Sequence, residues 1–316
     1  MTDASAGQAV SIRRLTSADM PALQPVVARA AAAGEFLGSS DPQATFFFKS
    51  FEFAPSPIAV ATTASADGER LVGFVSPEFK VVVVEPDRRR QGIGRRLMDA
   101  AVAIELERQR PEVLMGVLPD DRVGKAFLAA TGFAYHSTLW DLELPEGRPV
   151  APPRWPAGVI ARPFEQDRDA RPWIELFNEA FATHATALQI PIEAADGPPD
   201  PAILDADTEL VEDEATGQLI GFCATQPERE DGIVGPHAEI WTIGVRPDRQ
   251  GRGLGRELLR WGVERLRGLG VRNVTLSVNS RNEHALALYE REGFERTAIR
   301  ERWSRAVAIR DTASQP

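Results

Sequence analysis

The chain has 316 residues, a formal net charge of −10 at pH 7 and one cysteine, Cys223. That charge balance argues against nucleic acid as a partner, because neutralising phosphates needs a basic face, and a lone thiol excludes an internal disulfide framework and fits a reducing, cytoplasmic setting. No Cys/His cluster has metal-ligand spacing, no apolar run is long enough to span a membrane, and the N-terminus lacks the order of a signal peptide, so neither a metal nor a membrane is expected.

The length corresponds to about two domains, each with room for its own core. Residues 1–9 are small and polar and read as a tail. Residues 11–15 read as a strand, and Ser17 or Asp19 caps a helix through about Ala33. Residues 41–53 read as a second helix whose apolar content is Phe46, Phe47, Phe48, Phe51 and Phe53. Strands at 58–63 and 71–76 flank a turn at Asp67 and Gly68, and 81–85 reads as a strand buried on both faces. A helix to about Gln109, a strand 113–118, a helix 122–131 and a strand 134–144 follow. Residues 144–157 are proline-rich and read as a short semi-rigid spacer.

A second series then opens with a strand at 159–162 and a helix at 167–181. Residues 185–207 carry Glu193, Asp196, Asp200, Asp205 and Asp207 without a clear period, a long irregular stretch of the kind that is functional or disordered. Strands at 208–212 and 218–225 and a polar excursion at 227–237 precede a central strand that starts at Ala238 or Glu239. Cys223, on an apolar strand, reads as buried and inert.

The central strand ends at Val245 and runs into Arg246-Pro247-Asp248-Arg249-Gln250-Gly251-Arg252-Gly253-Leu254-Gly255. Pro247 stops ladder pairing, three glycines alternate, and a helical pattern begins at once with Leu254, Leu258, Leu259, Val263 and Leu266. A strand, a glycine-rich turn and a helix start gather free backbone N–H groups at the positive end of a helix dipole, which suits a phosphate or pyrophosphate. The P-loop signature fails for want of Lys-Ser/Thr, and the dinucleotide signature fails at Leu258.

The same pattern, Val84-Glu85-Pro86-Asp87-Arg88-Arg89-Arg90-Gln91-Gly92-Ile93-Gly94, lies 161 residues earlier. That offset holds without a gap from Val84/Val245 to Phe133/Phe294, which indicates internal duplication. The opening strands match at the shorter offset of 148, with Ile12 and Arg14 against Ile160 and Arg162. The chain therefore divides into a domain at 1–146, a linker at 147–157 and a domain at 158–316.

The spacing V-x-P-x-x-[QR]-x-x-G-x-G (Val245, Pro247, Gln250, Gly253, Gly255), followed by Asn282, Ala285, Leu288, Tyr289, Gly293 and Phe294, resembles the GNAT superfamily of N-acetyltransferases. The resemblance covers nearly the whole chain as two copies. It implies two tandem α/β domains (an α+β mixed sheet, mostly antiparallel, helices on both faces) in which two central parallel strands splay to admit the pantetheine arm of acetyl-CoA. Ile243, Gly244 and Val245 would offer backbone groups to that arm. Gln250, Gly251, Arg252, Gly253, Leu254, Gly255 and Arg256 would hold the pyrophosphate, and Asn282 would touch the phosphate or pantetheine arm. In the first copy the matching cofactor positions are Val83, Val84, Arg89, Gly92 and Gly94.

The resemblance also makes Tyr289 the donor of a proton to the departing thiolate. Glu239 matches the place of a catalytic base in tandem members of the family. By alternation its side chain shares a face with Trp241 and Ile243, and apolar neighbours favour a base that works near neutral pH. In the first copy Leu128 stands against Tyr289 and Asp121 against Asn282, so that copy is expected to be catalytically degenerate. The expected protein is a cytoplasmic acetyltransferase, monomer or homodimer, acting on an unidentified small-molecule amine without nucleic-acid or membrane partners. The competing class is a non-catalytic acetyl-CoA sensor. His184 and His237 are open between the acceptor site and a structural role.

Overall fold

The computed structural model describes residues 9–32, 57–65, 68–78, 80–182, 190–196, 207–230 and 233–308. The helix expected at 41–53, His184, Asp200 and Asp205 lie outside the described residues. The chain forms two compact units, Met1–Thr138 with Arg300–Pro316, and Leu139–Ile299. This division differs from one made at the linker. Residues 139–146 belong with unit 2, and the chain returns to unit 1 at Arg300.

Unit 1 contains the antiparallel sheet β1 (Val10–Arg14), β2 (Ala59–Ser65), β3 (Gly68–Ser76) and β4 (Val81–Val84), in that order. Strand β5 (Glu112–Val117) pairs antiparallel with residues 301–306, the last part of the strand Glu295–Ala306. Helix α1 (Met20–Ala32) covers one face through Leu23, Val26 and Val27 against Val60, Leu71 and Phe74. Helix α2 (Ile93–Glu107) covers the other through Ile93, Leu97, Met98 and Ala101. Helix α3 (Arg122–Ala130) follows β5. Of residues 81–85, expected to be buried on both faces, only Val83 and Glu85 are buried; β4 is a sheet edge, which leaves Val81, Val82 and Val84 half-exposed.

Unit 2 repeats the plan. Strands β7 (Val159–Pro163), β8 (Thr208–Asp213), β9 (Leu219–Glu230), β10 (Ile233–Val245) and β11 (Asn273–Asn279) are neighbours in sequence order. Residues 139–144, the end of β6 (Ala134–Leu144), complete the sheet by pairing antiparallel with β11. Only β10 and β11 are parallel here. Helix α4 (Gln166–Phe181) buries Trp173, Ile174 and Phe177 against Phe222 on one face. Helix α5 (Leu254–Gly268) buries Leu258, Leu259, Val263 and Leu266 on the other, beside α6 (Glu283–Arg291). The polar stretch 227–237 belongs to a long hairpin of β9 and β10, because backbone pairing there does not require apolar side chains. The linker does not swing free: Trp155 packs on the α5-side core, and the Arg154 amide donates to Glu257 at 2.7 Å.

One ion pair recurs in both units. Arg13 reaches both carboxylate oxygens of Asp19 at 2.7 and 2.8 Å, and Arg162 does the same to Asp169 at 2.6 and 2.8 Å. Arg13, not the expected Arg14, is therefore the working counterpart of Arg162. Burial would raise the Asp169 carboxyl, but hydrogen bonds from Arg162 and Arg168 hold it down at about 2. No helix among the described residues is long and apolar enough to cross a membrane.

Candidate active site

The parallel strands of unit 2 part company. His237, Ala238 and Glu239 pair with Asn273, Val274 and Thr275, and the ladder stops there. Strand β10 continues to Val245 with its other edge paired to β9, and β11 continues to Asn279 with its other edge paired to residues of β6. Residues 240–245 and 276–279 thus face a gap with no ladder between them. Its local cause is a bulge. Ile240 opposes Thr225 and Thr242 opposes Ala224, so Trp241 is an extra residue that bends β10 where it leaves β11. Unpaired strand edges need partners, and a ligand arm with peptide-like amides can supply them as an added strand.

Glycine is required inside this strand. A Cβ on Gly244 would stand 2.2 Å from the Phe222 ring, so the aromatic core under α4 reaches up to the backbone of β10. Trp241 packs with that core, whereas Ile243 packs with the α5-side core. The expectation that Glu239, Trp241 and Ile243 share one face is therefore corrected: the bulge inverts the alternation after Trp241. Glu239 lies between Ala238 and Ile240, both buried on the α5 side, so its half-buried side chain faces the α4 side with Trp241. It is the last paired residue of β10 at the fork, opposite Gln226 and Thr275.

The glycine loop closes the other end of the gap. Gly251 and Gly253 have φ of 74° and 84°, the left-handed region where a side chain is strained. Gly253 is the N-cap of α5. Gln250 folds the loop back by donating from Nε2 to the Val245 carbonyl at 3.1 Å. The amides of Gly251, Arg252, Gly253, Leu254 and Gly255 find no acceptor among the described residues, whereas Arg256 and Glu257 donate to the Gly253 carbonyl. Five free donors at a helix N-terminus fit a pyrophosphate. Arg256 is engaged by Glu292 at 3.4 Å. Arg252 lines a cavity of about 520 Å³ together with Arg249, Asp213, Ile220 and Leu254.

Tyr289 sits on α6, half-buried against the α5-side core, its ring centroid 6.2 Å from that of Phe294. Burial, and then the nearby Cys223, push its phenol well above the ordinary range, so the proton stays on oxygen at neutral pH. Its hydroxyl has no hydrogen-bond partner among the described residues. Asn282 is the N-cap of α6: its Oδ1 accepts from the Ala285 amide at 3.1 Å, and its own amide donates to the Asn279 carbonyl at 2.8 Å. Cys223 is fully buried, and burial pushes its thiol far up, which suits an inert core residue. His237 lies 3.3 Å from Asn273 at the paired end of the fork.

Two residues of α4 support this site. Asn178 on α4 bonds both backbone groups of Ile190, accepting from its amide at 2.9 Å and donating to its carbonyl at 2.8 Å. Glu179, its neighbour, meets Arg246 at the head of the glycine loop at 3.5 Å.

The matched positions of unit 1 are only partly alike. Arg89 takes the place of Gln250 and donates to the Val84 carbonyl at 2.9 Å. Gly92 is the left-handed N-cap of α2, with φ 81°. Arg90, with φ 62°, stands where unit 2 has Gly251, and Val83 stands where it has Gly244. The Phe127 ring lies 3.0 Å from where a Cβ on Gly94 would be, while Leu288 is 3.9 Å from the same point on Gly255. Leu128, in the place of Tyr289, is buried. Asp121 is spent on capping α3, accepting from the Gly124 amide at 2.8 Å.

Comparison with known proteins agrees with this geometry. The acetyltransferase (GNAT) family model matches residues 28–133 and 170–294. A mycothiol acetyltransferase of Kytococcus sedentarius is 33% identical over 240 residues, 74% of this chain and 78% of that protein. One of Clavibacter michiganensis is 35% identical over 258 residues, 79% and 77% of the two chains. In structure, a GCN5-related N-acetyltransferase from Sphaerobacter thermophilus matches with a TM-score of 0.67 at 20% identity, over 97% of this chain and 98% of that one. A tandem GNAT protein from the clavulanic acid biosynthesis pathway matches at 0.63 and 22%, over 96% and 100%. Two repeats of one fold, each matched by the same family model, make this chain a tandem member of the acetyltransferase (GNAT) family and an N-acetyltransferase.

Proposed function

We propose that unit 2 transfers the acetyl group of acetyl-CoA to a primary amine of a small molecule, and that unit 1 has lost this activity. The observation that carries the reading is the gap between β10 and β11, whose unpaired edges lead from Glu239 to five free amides of the glycine loop. Coenzyme A supplies an activated thioester at the end of an arm bearing two amides. Residues 243–245 would bind that arm along the strand edge, and the amides of residues 251–255 its pyrophosphate. Glu239 takes the proton of the attacking amine. A backbone amide of residues 243–245 stabilises charge on the carbonyl oxygen under attack. Tyr289 gives its proton to the leaving sulfur; its raised pKa keeps that proton on oxygen at neutral pH until the thiolate forms.

The acceptor class we put first is a mycothiol-type thiol precursor bearing a free amine, because the relatives above carry the name mycothiol acetyltransferase. The acidic stretch adds little support for a cationic acceptor. Asp196 is met by Arg171 at 3.1 Å and Asp207 by Arg265 at 3.7 Å, so both are compensated within the chain. The donor and the single buried thiol suit a cytoplasmic protein.

The test is calorimetric titration of acetyl-CoA into wild type, Gly253→Glu and Gly92→Glu, followed by thiol release with a panel of amines. Binding lost in Gly253→Glu, with amine-dependent thiol release in wild type, is the expected result. Binding without thiol release for any amine would instead make the protein a sensor.

A further inference from the structure

A lysine backbone marks the closed end of the gap in unit 1. In unit 2 the fork closes at Glu239 and Thr275. In unit 1, β4 and β5 share no ladder, and one bond closes the gap: the Gly116 amide donates to the Lys80 carbonyl at 2.8 Å. Lys80 lies two residues beyond Glu78, which the 161-residue offset matches to Glu239. From Lys80 to the head of the glycine loop at Glu85 the strand advances roughly 16 Å. A pyrophosphate on the amides around Gly92 therefore sits at one end of this edge, and the thioester of the same molecule lies toward Lys80.

The lysine is held and is not neutralised. Its backbone is left-handed, with φ 58°, and Nζ donates to the Glu78 carbonyl at 3.0 Å. Among the described residues no carboxylate lies within ion-pairing distance of it, whereas Lys125 meets Glu301 at 2.5 Å. Glu78 is drawn off by Arg108 at 2.9 Å and Glu105 by Arg108 at 3.0 Å and Arg110 at 3.5 Å. Burial, then Arg302, lowers the amine to about 8; Glu78 and Glu105 oppose this and Arg110 adds to it.

We propose that unit 1 is a self-acetylation site, in which Lys80 accepts the acetyl group of an acetyl-CoA seated on the Gly92 loop. The neutral Nζ attacks the thioester carbonyl, a C–N bond forms and the C–S bond breaks. The thiolate leaves and takes up the proton released from Nζ, so no oxidant or further reactant is needed. This goes beyond the transfer assigned to unit 2 and does not depend on it.

The experiment uses full-length protein carrying Glu239→Gln, incubated at pH 8 with acetyl-CoA radiolabelled in the acetyl group and then mapped by peptide mass spectrometry. Label should concentrate on Lys80, at least about tenfold above Lys125, because a lowered pKa leaves far more free amine. Lys80→Arg should remove it, Gly92→Glu should remove it independently, and Gly253→Glu should leave it in place. The proposal is overturned by absence of label, by equal label on Lys49, Lys80 and Lys125, or by label that survives Gly92→Glu. A Cβ at Gly92 meets nothing within 4 Å but strains a backbone with φ 81°, so circular dichroism of both variants accompanies the labelling, and only a natively folded variant that loses the label counts as support.

Discussion

The two units began as one pattern and differ most where chemistry would occur. In unit 2 a bulge at Trp241 opens β10 from β11 beside a half-buried glutamate, and a phenol with no partner among the described residues lies on α6. In unit 1 the glutamate at the same offset is bound by arginines, a buried leucine replaces the phenol, and Phe127 crowds the third position of the glycine loop. The parts that hold the fold survive in both: the left-handed N-cap glycine, the side chain folded back to the strand's last carbonyl, the Arg–Asp pair at the first helix and the cap of the last helix. The contacts that shape the backbone outlast the proton-transferring groups, because each is local and sets the path of the chain whether or not a ligand binds.

The comparison can be broken most severely by separating the repeats. Fragments 1–146 and 158–316 each lack a strand segment of their sheet: residues 301–306 for unit 1 and residues 139–144 for unit 2. Both should be insoluble or unfolded by circular dichroism, since an exposed strand edge and an open core remain. A soluble, cooperatively melting fragment would show that the exchanged segments are dispensable.

Next in size is the paired substitution of the two glutamates. Glu239→Gln should lower kcat about 10²–10⁴-fold, the usual contribution of a positioned base, while Glu78→Gln leaves kcat unchanged. Equal losses in thiol release would place the chemistry in both units. Tyr289→Phe should cost kcat about 10²-fold at unchanged acetyl-CoA affinity, and Leu128→Tyr should restore nothing to unit 1.

A smaller contrast concerns buried carboxylates. Glu85 and Glu105 of unit 1 each meet an arginine, whereas Glu209 of unit 2 has none within ion-pairing distance among the described residues. Burial raises Glu209 to about 7, against the opposing pull of Arg162 and Arg265. A carboxyl raised on folding favours the native state only when protonated. Its penalty is absent below the unfolded value and complete above the folded one. Glu209→Gln should therefore add on the order of 2–3 kcal/mol of stability at pH 8 and almost none at pH 4, read from denaturant melts at the two pH values. A gain independent of pH would mean that packing, not charge, is responsible.

Proline and glycine punctuation made the loops legible. Pro247, Gly251 and Gly253 announce their own backbone geometry, and the 161-residue register exposed the repeat before any coordinates. The bulge was not legible, because Ile240, Trp241, Thr242 and Ile243 satisfy either phase of the alternation. Neither was the exchange of strand segments: 134–144 and 295–306 have the same character whichever sheet they join. Asn282 and Asp121 both cap a helix start, a place that Asn and Asp ordinarily fill, so the spacing alone does not separate a cap from a cofactor contact. The ion pairs that hold Glu78 join residues 30 and 32 positions apart in sequence and leave no local signature.

Residues 301–306 also set a schedule. A ribosome delivers residues 1–138 of unit 1 first, yet β5 finds its partner only when residues 301–306 have emerged. Unit 2, by contrast, already has residues 139–144 in hand when its own strands appear. The first repeat made should thus be finished after most of the second, with β5 presenting a bare edge until residues 301–306 appear. Emergence of those six residues, rather than synthesis of the first half, is the event that closes unit 1.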